Sequence, residues 1–298
     1  MRHLSLLALL LFSATSHAQL EIFSCEPEWS ALAKELGGDR VETFSATTGL
    51  QDPHHIEARP NLIAKIRNAD LVACTGADLE SGWLPLLLKR SGNNKIQKGN
   101  LGHFMASEHV RLLGIPKQID RGQGDIHAAG NPHIHTNPKN ILRIAKSMSG
   151  TLEALDPDNA AFFKENLSNF VARWETALGR WEEKVKPLMG VPVVVYHDSW
   201  IYLEDWLKLK QVAVLEEKPG IPPSSGHLAQ IITQMKSEPA SMIIYAAYQN
   251  DKAALWLSNR TNIPIVKLPF TIGGTSDSND LFSLYESSIN LLLKAVPH

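Results

Sequence analysis

The chain has only two cysteines in 298 residues, Cys25 and Cys74. Neither has a second Cys or a His nearby at ligand spacing, so a thiolate metal site is not indicated. Acidic and basic residues nearly cancel, 31 against 29, so there is no basic footprint for nucleic acid or an anionic membrane. Long apolar runs are missing beyond the first dozen residues, which excludes a later membrane-spanning helix. His-Glu-x-x-His, Gly-x-Ser-x-Gly and a glycine-rich phosphate loop are all absent. No low-complexity tract or short-period repeat occurs.

The one apolar run, Leu4 to Phe12, follows Arg2 and His3 and precedes Ser16-His17-Ala18. Small residues at −3 and −1 predict a secretory signal peptide over residues 1–18, cleaved after Ala18. As a helix the run covers roughly 14 Å, well short of a ~30 Å hydrocarbon core, so a retained anchor is not expected. No cysteine directly follows the cleavage point, so no lipid anchor is expected either. The mature chain should be soluble and periplasmic, with 28 basic groups (Arg2 removed) against 31 acidic ones. In an oxidising compartment an even pair of cysteines suggests a Cys25–Cys74 disulfide. Each ends a predicted strand in the same half of the chain. With 44% hydrophobic residues, this length can bury a sizeable core and allows two domains.

Strand and helix patterns alternate. Leu20–Ser24, Val41–Phe44 and Asp70–Cys74 read as strands; Glu26–Leu36, Leu62–Arg67 and Leu79–Lys89 read as helices. A second block repeats this: Val191–Tyr196, Val212–Leu215, Ser241–Tyr245 and Ile263–Leu268 as strands, with helices over Trp200–Leu207, Ser225–Lys236 and Ala253–Thr261. Asp280 is read as the cap of a last helix reaching about Ala295. Between the blocks, Phe163, Leu167, Phe170, Trp174, Leu178, Trp181 and Val185 recur every three or four residues and make one apolar stripe. This predicts a stiff helix from about 157 to 186, roughly 45 Å long. The fold class is α/β, with two lobes, each a mostly parallel sheet flanked by helices, joined by one long rigid helix. The expected boundaries are residues 19–155 for the N-terminal lobe, 156–188 for the connecting helix and 189–298 for the C-terminal lobe.

Three histidines stand out: His54 in Asp52-Pro53-His54, His133 in Asn131-Pro132-His133, and His197 directly after the strand Val191–Tyr196. A preceding proline fixes its own φ and restrains the residue before it, so both Pro-His corners hold a side chain still. Ligands of doubly wound sheets sit beyond the carboxyl ends of strands. The expected site is therefore a cleft between the lobes, with His54 and His133 from one side and His197 from the other. Neutral imidazole is a common ligand for zinc. His55 should point away from His54, because side chains alternate along extended chain. His127 and His135 are read as residues that feed metal to the site, bind it weakly or brace a ligand. His103, His109 and His227 read as surface or capping residues.

The segments Asp52-Pro53-His54-His55-Ile56-Glu57-Ala58-Arg59-Pro60, Asn131-Pro132-His133-Ile134-His135-Thr136-Asn137-Pro138 and His197-Asp198-Ser199-Trp200, with the long middle helix, carry a resemblance. The chain resembles the cluster A-I solute-binding proteins of bacterial ABC transporters for zinc and manganese. The resemblance implies one metal ion between two lobes, held by His54, His133 and His197, and delivery to an inner-membrane ABC permease. It also implies a monomer, with a periplasmic metallochaperone as a further partner. A histidine at the third position favours Zn2+ as the transported ligand over Mn2+, in line with imidazole suiting zinc and carboxylate suiting manganese.

Two departures stand out. The family's frequent fourth ligand is an Asp before the last helix, yet Pro269–Thr275 contains no acid. Asp277 and Asp280 lie further on, which leaves the fourth position to water or to a carboxylate from elsewhere. The family's long His- and Asp-rich loop is represented only by His127 and its neighbours. A zinc hydrolase with three His and an open water position is the rival reading. Glu57 and Asp198 are its nearest candidate bases, although Glu57 equally well braces its loop and Asp198 could orient an imidazole.

Overall fold

The computed structural model describes residues 19–118, 122 and 124–296; the signal peptide predicted over residues 1–18 lies outside them. The chain runs β1 (Leu20–Ser24), α1 (Pro27–Gly37), β2 (Val41–Ser45), α2 (Pro60–Arg67), β3 (Leu71–Cys74), α3 (Leu84–Ser91) and β4 (His103–Met105). Two helices follow, α4 (Pro138–Leu155) and α5 (Ala160–Lys184). The second half runs β5 (Pro192–Val195), α6 (Ile201–Leu207), β6 (Lys210–Val214), α7 (Ser225–Gln234), β7 (Met242–Ala246), α8 (Lys252–Thr261), β8 (Ile265–Leu268) and α9 (Leu281–Ala295). Each half forms a four-stranded sheet, in the orders β2-β1-β3-β4 and β6-β5-β7-β8, with all pairings parallel. The architecture is the two-lobed α/β fold expected from the pattern. Among the described residues no helix is long and apolar enough to cross a membrane.

Strand side chains alternate between two cores. In β1, Ile22 joins the large central core and Phe23 a smaller outer one. In β5, Val193 and Val195 face the centre while Val194 faces out; β7 repeats this, with Met242, Ile244 and Ala246 inward and Ile243 and Tyr245 outward. A strand covered on both faces by helices needs apolar residues at every position, so β5 reads as an unbroken run of valines.

Helix α5 joins the halves. Phe163, Phe170, Trp174, Ala177 and Trp181 are its buried face. Trp174 Nε1 donates to Pro138 O (2.9 Å) at the start of α4, and Trp181 Nε1 donates to Glu286 Oε2 (2.7 Å) in α9. One helix is thus fastened by indole donors to both lobes. It is shorter than the predicted stretch, at 25 residues, because single 3-10 turns at Pro157–Asn159 and Lys186–Leu188 flank it. Pro187 has no N–H to continue the ladder.

Helix α3 begins at Leu84 and not at Leu79. Gly76, Ala77 and Asp78 take positive φ (77°, 50° and 68°), and the Glu80 carboxylate accepts N–H bonds from Thr75 (2.8 Å) and Gly76 (3.0 Å). Local side-chain bonding of this kind competes with the helix. The short edge strand β4 and helix α4 add to the pattern read from the sequence. At the carboxyl ends of β1 and β3, Cys25 N donates to Ala73 O (2.9 Å). That pairing brings Cys25 and Cys74 to a Cα separation of 4.8 Å, and they are disulfide-bonded.

Candidate metal centre

The loops that leave the carboxyl ends of the strands converge between the lobes. His54 lies in the loop after β2, His133 in the turn before α4, and His197 two residues past β5. One nitrogen from each lies within 4.8 Å of the others. Ring centroids are 5.3 Å apart for His54–His133, 5.7 Å for His133–His197 and 5.8 Å for His54–His197. The predicted trio, far apart in sequence, meets at one point.

The two Pro-His corners are the same device. Asp52 Oδ1 accepts the N–H of His54 (3.0 Å), and Asn131 Oδ1 accepts the N–H of His133 (3.0 Å). Each is an Asx turn, with proline setting φ at its second position. The first turn is held from below, because Trp83 Nε1 donates to Pro53 O (2.9 Å). The second is tied across the cleft: Asn131 Nδ2 donates to Asp198 O (2.5 Å), and Asn131 O accepts from Tyr202 Oη (2.7 Å). Side chain, proline and anchor together remove the freedom that a loop histidine would otherwise keep.

Carboxylates fix the tautomers. His54 Nδ1 lies 2.7 Å from Asp52 Oδ1, and His197 Nδ1 lies 2.7 Å from Glu216 Oε2. An ionised carboxylate can only accept, so each Nδ1 carries a proton, and in the neutral ring the lone pair left for a metal is on Nε2. Burial would raise the Asp52 carboxyl, but hydrogen bonding and charge from His54 hold it below the usual range. Glu216 Oε2 also accepts from Gly220 N (2.8 Å). Asp198, the residue suggested by sequence as the brace of His197, does not fill that role; Glu216 does. Glu216 follows β6 as His197 follows β5, and these neighbouring parallel strands end side by side.

His133 is 0% exposed, and neither of its ring nitrogens has a hydrogen-bond partner. Burial, then the nearby His54 and His197, push its pKa well below the ordinary histidine value. It is therefore a neutral imidazole, buried, with a lone pair that no protein group uses. A buried polar atom of this kind costs about 1–3 kcal/mol unless something binds it.

The other candidates go elsewhere. His55 turns out to Asp125 Oδ2 (3.3 Å). His135 faces away from the trio: its Nε2 donates to Phe270 O (3.0 Å) and its Nδ1 lies 3.2 Å from Glu28 Oε1. His127 does reach the trio, with its Nε2 3.2 Å from His54 Nε2. Burial, then His54 and His197, lower its pKa to about 4. Asp280 caps α9, its Oδ1 accepting from Ser283 N (2.7 Å), and Asp277 Oδ1 accepts from the Ser276 hydroxyl (3.2 Å). Phe270 sits with its ring edge-on to His133, 5.3 Å away. Glu57 pairs with Arg59 Nε (3.0 Å) at the surface, the bracing role and not that of a base.

Comparison with known proteins agrees with the fold and identifies relatives of the whole chain. A family model described as "ZnuA: Zinc-uptake complex component A periplasmic" matches residues 22–295. A relative in Streptococcus anginosus, a manganese ABC transporter substrate-binding lipoprotein, PsaA, is 25% identical over 266 residues, covering 87% of this chain and 82% of its own. The crystal structure of a ZnuA superposes with a TM-score of 0.78 at 22% identity, covering 94% of this chain and all (100%) of that one. A manganese-bound periplasmic metal-binding protein from Candidatus Liberibacter asiaticus superposes with a TM-score of 0.75 at 18% identity, covering 93% and 99%.

Proposed function

The chain belongs to the ZnuA family over nearly its whole length, and on that premise we propose that it captures Zn2+ with His54, His133 and His197 and delivers it to an ABC permease. Family membership makes it a periplasmic metal-binding component of an ABC transporter and not an enzyme, which sets aside the hydrolase reading. The choice of metal and the ligand set are our reading of the site.

The observation that carries it is His133, fully buried with both ring nitrogens unpartnered, beside two imidazoles whose Nε2 lone pairs are freed by carboxylates at Nδ1. All three donors are nitrogen. The nearby carboxylates of Asp52 and Glu216 face the far side of their rings. Imidazole suits zinc, whereas manganese favours carboxylate and carbonyl oxygen. The streptococcal relative is named for manganese, so the donor set here argues for a different preference. Both cysteines of the chain are joined to each other, so neither offers a thiol to a lipid; we read the protein as freely diffusing.

Metal competition tests the reading. Purified protein should take up one Zn2+ and keep it against a large excess of Mn2+. His54→Ala, His133→Ala and His197→Ala should each weaken zinc binding by more than about tenfold, a loss of over ~1.4 kcal/mol. Displacement of zinc by equimolar manganese would overturn the choice of metal. Unchanged affinity in any of the three variants would remove that residue.

A further inference from the structure

We propose that His127 is the fourth ligand of the zinc site, carried by a loop that spans the cleft. The proposal rests on the three-histidine reading above and completes it. His127 Nε2 lies 3.2 Å from His54 Nε2. Two ligand nitrogens of a tetrahedral zinc, each 2.0–2.1 Å from the ion, are roughly 3.3 Å apart. The His54–His127 pair already has the separation of one edge of that tetrahedron. With Nδ1 of His54 turned to Asp52, the neutral ring offers Nε2 to a cation, which can lie between the two nitrogens where a hydrogen bond would otherwise run.

The other directions are filled. Phe270 covers His133 from the loop after β8. Asp52 and Glu216 hold the far nitrogens of His54 and His197. His135 is bonded to the Phe270 carbonyl, and Asp280 caps α9. His127 stands on the open side, where it and His197 line a cavity of about 140 Å³ together with Ile126, Asp198 and Pro219. Closing the shell requires the His127 ring to move towards His133, from 6.3 Å to the 5.3–5.8 Å separations of the other three.

The loop is built to place this ring. On the N-terminal lobe, Ala128 N donates to Asp78 Oδ2 (3.2 Å) and Asp125 Oδ2 contacts His55 Nε2 (3.3 Å). On the other lobe, Asp125 N donates to Pro219 O (3.0 Å). A Cβ at Gly124 (φ +86°) would sit 2.1 Å from the backbone oxygen of Pro219, so glycine is required for this close approach, and Gly220 (φ +77°) lies against Asp125. Gly220 N also holds Glu216, which orients His197. The loop that carries His127 is thereby coupled to the ligand of the opposite lobe.

X-ray absorption on the zinc-loaded full-length protein counts the imidazoles directly. Four are expected in the wild type. His127→Ala should drop the count to three plus one oxygen and weaken zinc binding by roughly ten- to a hundredfold, a range that even residues bracing a ligand command. His127→Gln controls for packing and should give the same count as alanine. His55→Ala, which removes only the contact to Asp125, should retain four. Three imidazoles in the wild type, or unchanged count and affinity in both His127 variants, would overturn the proposal and leave the three-histidine site standing. Failure of the three-histidine reading is separately visible, as a wild-type protein that binds no zinc or a His133→Ala variant that binds it normally.

Discussion

At the residue scale, the candidate centre consists of imidazoles held in place by groups that sit behind them. Glu216 is the clearest case. Its carboxylate sets the tautomer of His197, raises the basicity of Nε2 and is itself held by Gly220 N. Glu216→Gln keeps size and an acceptor but removes the charge. Zinc affinity in a chelator competition should fall by roughly tenfold or more, with the circular dichroism spectrum unchanged; wild-type affinity would show that the pair only packs. Asp198→Asn should have the smaller effect, since its backbone carbonyl, which fastens the neighbouring loop, is kept. That His54, His133 and His197 would be held at rigid positions was legible in the sequence, because proline and strand ends mark such positions. Glu216 was not, because one carboxylate after a strand looks like any other until the register of β5 and β6 is known. His127 was legible only as a possibility: its loop has no periodicity, and its place depends on glycine contacts with residues some 90 positions away.

At the element scale, the strands and most helices follow from apolar period, while their ends follow from side-chain bonding that period does not reveal. The late start of α3 belongs to Glu80, which serves the N–H groups of Thr75 and Gly76 at the end of β3. Glu26, at the end of β1, shares that pocket through Thr75 Oγ1 (3.0 Å). Burial, then the charges of Glu80 and Glu28, push Glu26 well above the carboxylate range. Burial raises Glu80 to about 7 against its hydrogen bonds. A carboxyl whose folded pKa exceeds its unfolded one binds its proton more tightly when folded. Its stabilising effect is therefore full below the unfolded value, near 4.3, and is lost as pH rises towards about 7. Metal-free protein should lose roughly 1–3 kcal/mol between pH 5 and 8 from this pair, by urea unfolding at constant salt. Glu26→Gln imitates the protonated acid and should flatten that slope. An equal slope in wild type and variant would mean that the pair titrates as ordinary surface acids.

At the scale of the whole molecule, the frame and the site differ in stiffness. Helix α5 packs on α1, α4 and α9 and donates an indole N–H to each lobe. The aromatic contacts of Trp174 and Trp181 with Phe282 and Tyr285 continue that packing into the second lobe. Wide hinge opening would have to break this buried cluster, where truncating one tryptophan alone costs about 3–5 kcal/mol. Loop movement breaks only single hydrogen bonds, each worth about 0.5–1.5 kcal/mol net. Capture and release should therefore be loop events on a fixed frame. Hydrogen exchange with and without saturating zinc separates the two pictures. Protection should appear in residues 46–59, 124–133, 196–199 and 216–220, and α5 with both sheets should exchange alike in the two states apart from the global gain expected from binding, ~2.7 kcal/mol at a hundred times Kd. Changes concentrated at the ends of α5, around residues 156–160 and 185–191, would instead mean that the lobes themselves swing and that the indole fastenings give way.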